Sequence, residues 1–114
     1  MVPVISEADG IIIISLPRRF DLDSAPSVEN ELIPVLGKHP AQVLFDFSRT
    51  EYISSAGVRV LLMSVRSIKE GGGTAALSSL CRQVTDILGI AGFTKIFTMY
   101  DTRENAVRQM KKKH

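Results

Sequence analysis

Two adjacent serines, Ser54 and Ser55, followed by the small residues Ala56 and Gly57, precede a stretch in which Val58, Leu61, Leu62, Val65 and Ile68 recur every three or four residues. That spacing is one face of a helix, so the serine pair stands at a helix start. A hydroxyl there can cap the helix, attack as a nucleophile, or accept a phosphoryl group. Nucleophilic attack needs a base, and the two histidines are His39, beside Pro40 in a loop, and terminal His114, neither expected near Ser55. The chain is therefore not expected to be an enzyme. A helix start exposes unpaired N–H groups and about half a positive charge, so a phosphoryl group is accommodated there without unfolding. Two serines need one cap: Ser54 is assigned that role, which leaves Ser55 as the candidate phosphoacceptor and Ser54 as its alternative.

Residues four and eight positions beyond Ser55 share its helix face, and these are Arg59 and Met63. A partner that touches Ser55 touches both, and Ala56 and Gly57 let its backbone come close. Cys81 is the only cysteine, so neither an internal disulfide nor a cysteine metal cluster can form, and the spacing near a helix start predicts an inert, partly buried thiol. Gly71, Gly72 and Gly73 lack the Lys-Ser/Thr that follows a phosphate-cradling loop and act as a helix stop. No cofactor or metal is expected.

The elements that must position these residues can be traced from periodicity. Val2 to Ser6 and Ile11 to Leu16 form a predicted hairpin around the turn-prone Glu7 to Gly10, and a polar connection, Arg18 to Asp23, follows. Ala25, Val28, Leu32, Val35 and Leu36 mark a helix capped by Ser24 or Ser27 and bent or tightened at Pro34. Gln42 to Phe47 is nearly continuous in apolar residues, as a parallel strand covered on both faces requires. After the serine-led helix come a strand at Thr74 to Leu77, a helix capped by Ser78 or Ser79, a strand at Ile96 to Met99, and a last helix opened by Thr102. This is an α/β order: a mostly parallel sheet of four or five strands with an N-terminal hairpin and about four helices, in one domain over residues 1–114. In such folds binding groups gather beyond the carboxyl ends of the strands.

Bulk properties narrow the class. At 114 residues, 45% hydrophobic and 23% charged, the chain buries about two-thirds of its unfolded surface in one core. The longest apolar run, Ile11 to Ile14, is far short of a bilayer span, and no leader pattern precedes it. The expectation is a cytoplasmic protein without stable membrane association. The net charge of +2 is concentrated in the tail Lys111, Lys112 and Lys113, and with no Trp and few aromatics no nucleic-acid partner is expected. The oligomeric state is not set by any feature of the sequence.

The segment LFDFSRTEYISSAGVRVLL, followed by a glycine run and a short strand, resembles the signature of STAS domains, above all the bacterial anti-sigma factor antagonists. Arg19-Phe20-Asp21 looks like an element after that family's second strand, and ILGIAGFTKIF at 87–97 resembles its ending. The resemblance spans nearly the whole chain and implies an STAS-like fold. It also implies that Ser55 accepts phosphate, that Asp21 and Asp46 lie near it, and that Ser54, Ala56, Gly57, Arg59 and Met63 meet a partner. The implied partners are an anti-sigma factor acting as a GHKL-type serine kinase, released when it phosphorylates Ser55, and a PP2C-type phosphatase. Two positions depart from the pattern: Ser54 stands where the family has Asp, and Arg18 where it has Gly. The first leaves open a scaffold or ligand-sensing module that binds without being phosphorylated.

Overall fold

The computed structural model describes residues 3–93 and 95–113. Strands β1 (Val4–Ala8) and β2 (Ile11–Ser15) form an antiparallel hairpin whose turn is only Asp9 and Gly10. Both have positive φ, 54° and 79°, the geometry that lets a two-residue turn follow strand twist. Glu7 and Ala8 therefore belong to the strand rather than the turn, and Val2, assigned to this strand from sequence, lies outside the described residues.

Strand β4 (Gln42–Asp46) is buried at every position, as its apolar run requires. It lies between β2 and β6 (Thr74–Ser78), parallel to both, and β7 (Met99–Tyr100) closes the order β1-β2-β4-β6-β7. Alternate side chains leave β4 on opposite faces. Val43 and Phe45 join Ile14 and Leu77 in a core packed by helices α1 (Ala25–Leu36), α2 (Ser55–Glu70) and α3 (Arg82–Ile90). Leu44 joins Ile11, Ile13 and Ala76 under Ala106 and Met110 of α4 (Arg103–Lys113). The expected α/β architecture, with its N-terminal hairpin and four helices, is present.

A second, two-stranded sheet was not expected: β3 (Arg19–Phe20) pairs in parallel with β5 (Tyr52–Ile53), where the sequence pattern gave only a polar connection. Side-chain and backbone bonds hold these short strands together. Glu51 N–H donates to the Arg18 carbonyl at 2.7 Å, and buried Thr50 donates its hydroxyl to the Pro17 carbonyl at 2.9 Å.

Other boundaries moved for local reasons. Helix α1 passes through Pro34 and ends in tightened i to i+3 turns, Lys38 N–H to Val35 O and His39 N–H to Leu36 O. Ser24 occupies its start but does not cap it; the hydroxyl donates instead to the Arg19 carbonyl at 2.7 Å. Because β6 runs through Ser78 and Ser79 turns at φ 61°, neither caps α3, whose N-cap position is held by Cys81, an exposed thiol. The strand expected at Ile96 to Met99 shrinks to Met99–Tyr100, since Ile96 is exposed and only Phe97 is drawn into the core. Thr102 does cap α4, accepting the Asn105 N–H at 3.0 Å. No described helix is long and apolar enough to cross a membrane.

Buried Gln42 fixes the far end of α4 by donating Nε2–H to the Met110 carbonyl at 2.8 Å, one of the last-turn carbonyls a helix leaves unpaired. Gln42→Met keeps the length and removes the donor, and is expected to cost about 1–2 kcal/mol in urea unfolding, with faster hydrogen exchange confined to the last turn of α4.

Candidate functional site

The start of α2 is set by backbone geometry. Parallel pairing of Phe20 with Ile53 brings the residues after them, Asp21 and Ser54, out at the same end of the small sheet. The Ser54 N–H donates to the Phe20 carbonyl at 3.0 Å, and the Ser54 carbonyl accepts the first helical bond, from Val58. Ser54 thus has the extended backbone of an N-cap, φ −100° and ψ 176°, but its side chain makes no capping bond. Its Oγ is buried without a partner among the described residues. The cap hydrogen bond expected of Ser54 is absent, and no side chain occupies the N–H groups of the first turn.

Gly57 is required here. A Cβ at this position would clash with the Phe20 carbonyl oxygen and lie 2.9 Å from Ile53 Cγ1. The backbone that approaches Gly57 is therefore the chain's own, where the sequence pattern pointed to a partner's. Ala56, part-buried, packs against the main core. Ser55, one residue earlier, is exposed as the first residue of α2.

Ser55 heads an open, mostly apolar groove of about 620 Å³ between α2 and α3. From α2 it is lined by Arg59, Leu62, Met63 and Arg66, at successive turns below the serine. From α3 come Ile87 and Ile90, and Phe93 closes the end. The grouping of Ser55 with Arg59 and Met63 matches the helical spacing, and Met63 is 47% exposed rather than a core filler. The α3 wall, with Ile90 89% exposed, was not found from sequence. The Ile87, Ile90 and Phe93 spacing carried the signal, but only the packing of the two helices gives it a partner face.

A scan against protein-family models matches the STAS domain over residues 2–106. The chain belongs to the STAS domain family. It is 33% identical over 103 residues to BtrV of Bordetella bronchiseptica, named for an anti-sigma factor antagonist role, across 90% of this chain and 89% of that one. Its fold matches an anti-sigma-factor antagonist (STAS) domain protein of Planctomyces limnophilus, with TM-score 0.89, 19% identity, and 96% and 98% of the two chains covered. It also matches the phosphorylated form of the Bacillus cell fate determinant SpoIIAA, with TM-score 0.75, 16% identity, and 95% and 98% covered.

Within this STAS domain the two aspartates part company. Asp46 is 3% exposed and faces α4, on the opposite side of the sheet from α2. It accepts the Ser48 N–H at 3.0 Å and hydroxyl at 3.2 Å, and pairs with Arg103 at 3.8 Å. The expectation that Asp46 stands beside Ser55 is corrected: a buried carboxylate at this strand end takes the nearest donors, which are in its own loop, on the neighbouring strand β2, where the Ser15 hydroxyl lies 3.5 Å away, and on α4. Asp21 does reach the serine end. Its carboxylate accepts the N–H groups of Asp23 at 3.1 Å and Ser24 at 3.2 Å and pairs with Arg19 at 3.3 Å. Arg19 also stacks over the Tyr52 ring at 4.8 Å, and Arg18 pairs with Glu51 at 3.0 Å, so the arginine pair fastens β3 to β5. Among the described residues no group of His, Cys, Asp or Glu could hold a metal.

Two outcomes follow from this geometry. Gly57→Ala, although alanine favours helices, is expected to destabilise the STAS domain by about 1–3 kcal/mol in denaturant unfolding, because the Phe20 backbone must move. For Asp21, partial desolvation pulls the carboxyl pKa up, but the N–H donors of Ser24 and Asp23 and the Arg19 guanidinium outweigh it and hold it below the ordinary 3.8. A lowered folded-state value means the stabilisation is complete above 3.8 and is lost as pH falls through the lowered value. Asp21→Asn is therefore expected to lower the melting temperature above about pH 5, where that stabilisation is fully present, and to converge on wild type as pH falls, which flattens the acid limb.

Proposed function

We propose that this chain is a cytoplasmic partner-switching regulator: unmodified, it captures an anti-sigma factor that is also a GHKL-type serine kinase, and phosphorylation of Ser55 ends the complex. The observation that carries this is Ser55 itself, exposed at an uncapped helix start and heading an apolar groove. The kinase transfers the γ-phosphoryl group of its own ATP to Ser55 Oγ, the serine proton leaves to a base on the kinase, and ADP is released. The STAS domain supplies position only. Its first-turn N–H groups and helix dipole favour the new charge, so the product folds as the substrate does. SpoIIAA, which has this fold, has been solved in a phosphorylated form, consistent with an STAS domain tolerating the group. A PP2C-type phosphatase resets the switch.

A phosphoryl group adds about 1.5 to 2 negative charges, and each contact with a like charge at about 4 Å costs on the order of 1 to 4 kcal/mol, enough for a tenfold loss of affinity or more. The second reading, a scaffold that binds without being modified, is favoured by Ser54 in the position of the family's Asp. Mass spectrometry after incubation with a GHKL-type kinase and ATP is expected to find the phosphoryl group on Ser55 and none on Ser55→Ala. Ser55→Asp is expected to bind that kinase at least about tenfold more weakly than wild type. Label that persists in Ser55→Ala overturns Ser55 as the acceptor in favour of Ser54, whereas no label on wild type, or an unchanged affinity of Ser55→Asp, leaves the scaffold.

A further inference from the structure

The groove below Ser55 carries a charge pattern that identifies what fits it. Arg59 and Arg66 stand on the same wall, seven residues apart, which along a helix is about 10 Å. Both are exposed, and neither has a carboxylate at ion-pair distance among the described residues. Four others, Arg18, Arg19, Arg82 and Arg103, are paired with acids; Arg49 and Arg108 have no ion pair among the described residues either, but neither lines this groove. Arg59 reaches only Met63, placing Nη1 3.4 Å from Sδ. Between and opposite the two free guanidiniums lies apolar surface that a lone domain does not need to expose: Met63 at 47% and Ile90 at 89%.

We propose that the α2–α3 groove receives an acidic amphipathic helix of the partner, with two carboxylates two turns apart pairing with Arg59 and Arg66 and apolar residues between them meeting Met63, Ile87 and Ile90. Two separated cations flanking an apolar floor match a helix better than a fatty acid, whose single carboxylate leaves one arginine unpaired. The geometry also gives phosphorylation a second action, which rests on Ser55 being the phosphoacceptor. Residues four apart on a helix are neighbours, so a phosphoryl group on Ser55 draws the Arg59 guanidinium to itself. It thereby removes one of the two cations the partner helix needs.

The test uses no kinase in its first arm. A fluorescein-labelled alanine-based peptide of about 18 residues, with leucines along one face and glutamates seven apart beside them, is titrated against the whole protein by anisotropy. The control peptide has lysine in place of each glutamate. The glutamate peptide is expected to bind at least tenfold more tightly, and Arg66→Glu, far along the helix from Ser55, is expected to abolish that preference, since Arg59 then faces one site and a carboxylate the other. Ile90→Asp is expected to weaken both peptides, and circular dichroism checks that these surface variants keep the fold. Equal binding of the two peptides, no binding of either, or an unchanged preference in Arg66→Glu overturns the docking proposal. So does binding of sodium oleate where the glutamate peptide fails to bind. In the second arm, Ser55→Glu is expected to weaken the glutamate peptide about tenfold in wild type but little further in Arg59→Ala. Additive losses would overturn the capture of Arg59 while leaving the groove proposal standing on the first arm.

Discussion

The carbonyl oxygen of Phe20 fixes where the functional helix begins. It accepts the Ser54 N–H and lies so close to Gly57 that a side chain there has no room. Both contacts come from one two-residue strand, and that strand is itself held by β5 and by the Arg18 and Arg19 side chains. The chain spends two arginines, a buried threonine and an obligatory glycine on aiming one helix start. Helix propensity alone disfavours glycine there, so the close approach outweighs it. Because the anchor is backbone, Ser55 keeps its side chain free: position is set without using the hydroxyl.

The sheet separates two kinds of polar chemistry. On the face covered by α4, Asp46, Ser48 and Arg103 satisfy one another beneath a helix also tied down by Gln42. Asp46 is the buried member, and a carboxylate 3% exposed must find donors within the fold. On the other face, α2 and α3 leave Arg59 and Arg66 without acids and Ile90 without cover. A buried carboxylate satisfied within the fold stabilises it, whereas exposed, unsatisfied cations are available to a partner. Sequence position does not separate them, since Asp46 ends β4 and Ser55 follows that strand closely.

What the sequence reveals depends on how local the cause is. Helices α1 to α4 and strand β4 are legible because periodicity and burial repeat over many residues. Ser55, Arg59 and Met63 share a face for the same reason, as spacing along one helix is a local quantity. Strands β3 and β5 were invisible because two residues cannot show alternation, and their pairing is long-range. The cap at Ser54 fails although the residue type is right, because Phe20 and the packing around Gly57 settle the backbone without it. Asp46 could not be assigned to a face without knowing that its alternation partner Leu44 points to α4. The α3 wall of the groove is a property of two helices together, and neither helix contains it alone.

The arrangement bears on how one phosphoryl group can control a complex held largely by apolar contact. Through water, a unit charge at about 4 Å is worth on the order of 1 kcal/mol, while burying a single exposed isoleucine contributes about 1.5 to 3 kcal/mol. Repulsion at the rim is therefore a weak opponent of a filled groove, and salt weakens it further. An added charge has more leverage if it also takes away a cation on which the partner depends, because the partner's carboxylate is then desolvated without a counter-charge. Ser55 and Arg59, one helical turn apart on the wall of a single groove, have the spacing for that exchange. On the proposed reading, the uncapped start of α2 would let a phosphoryl group settle without cost to the fold, so that modification would act on the partner and not on the stability of the domain.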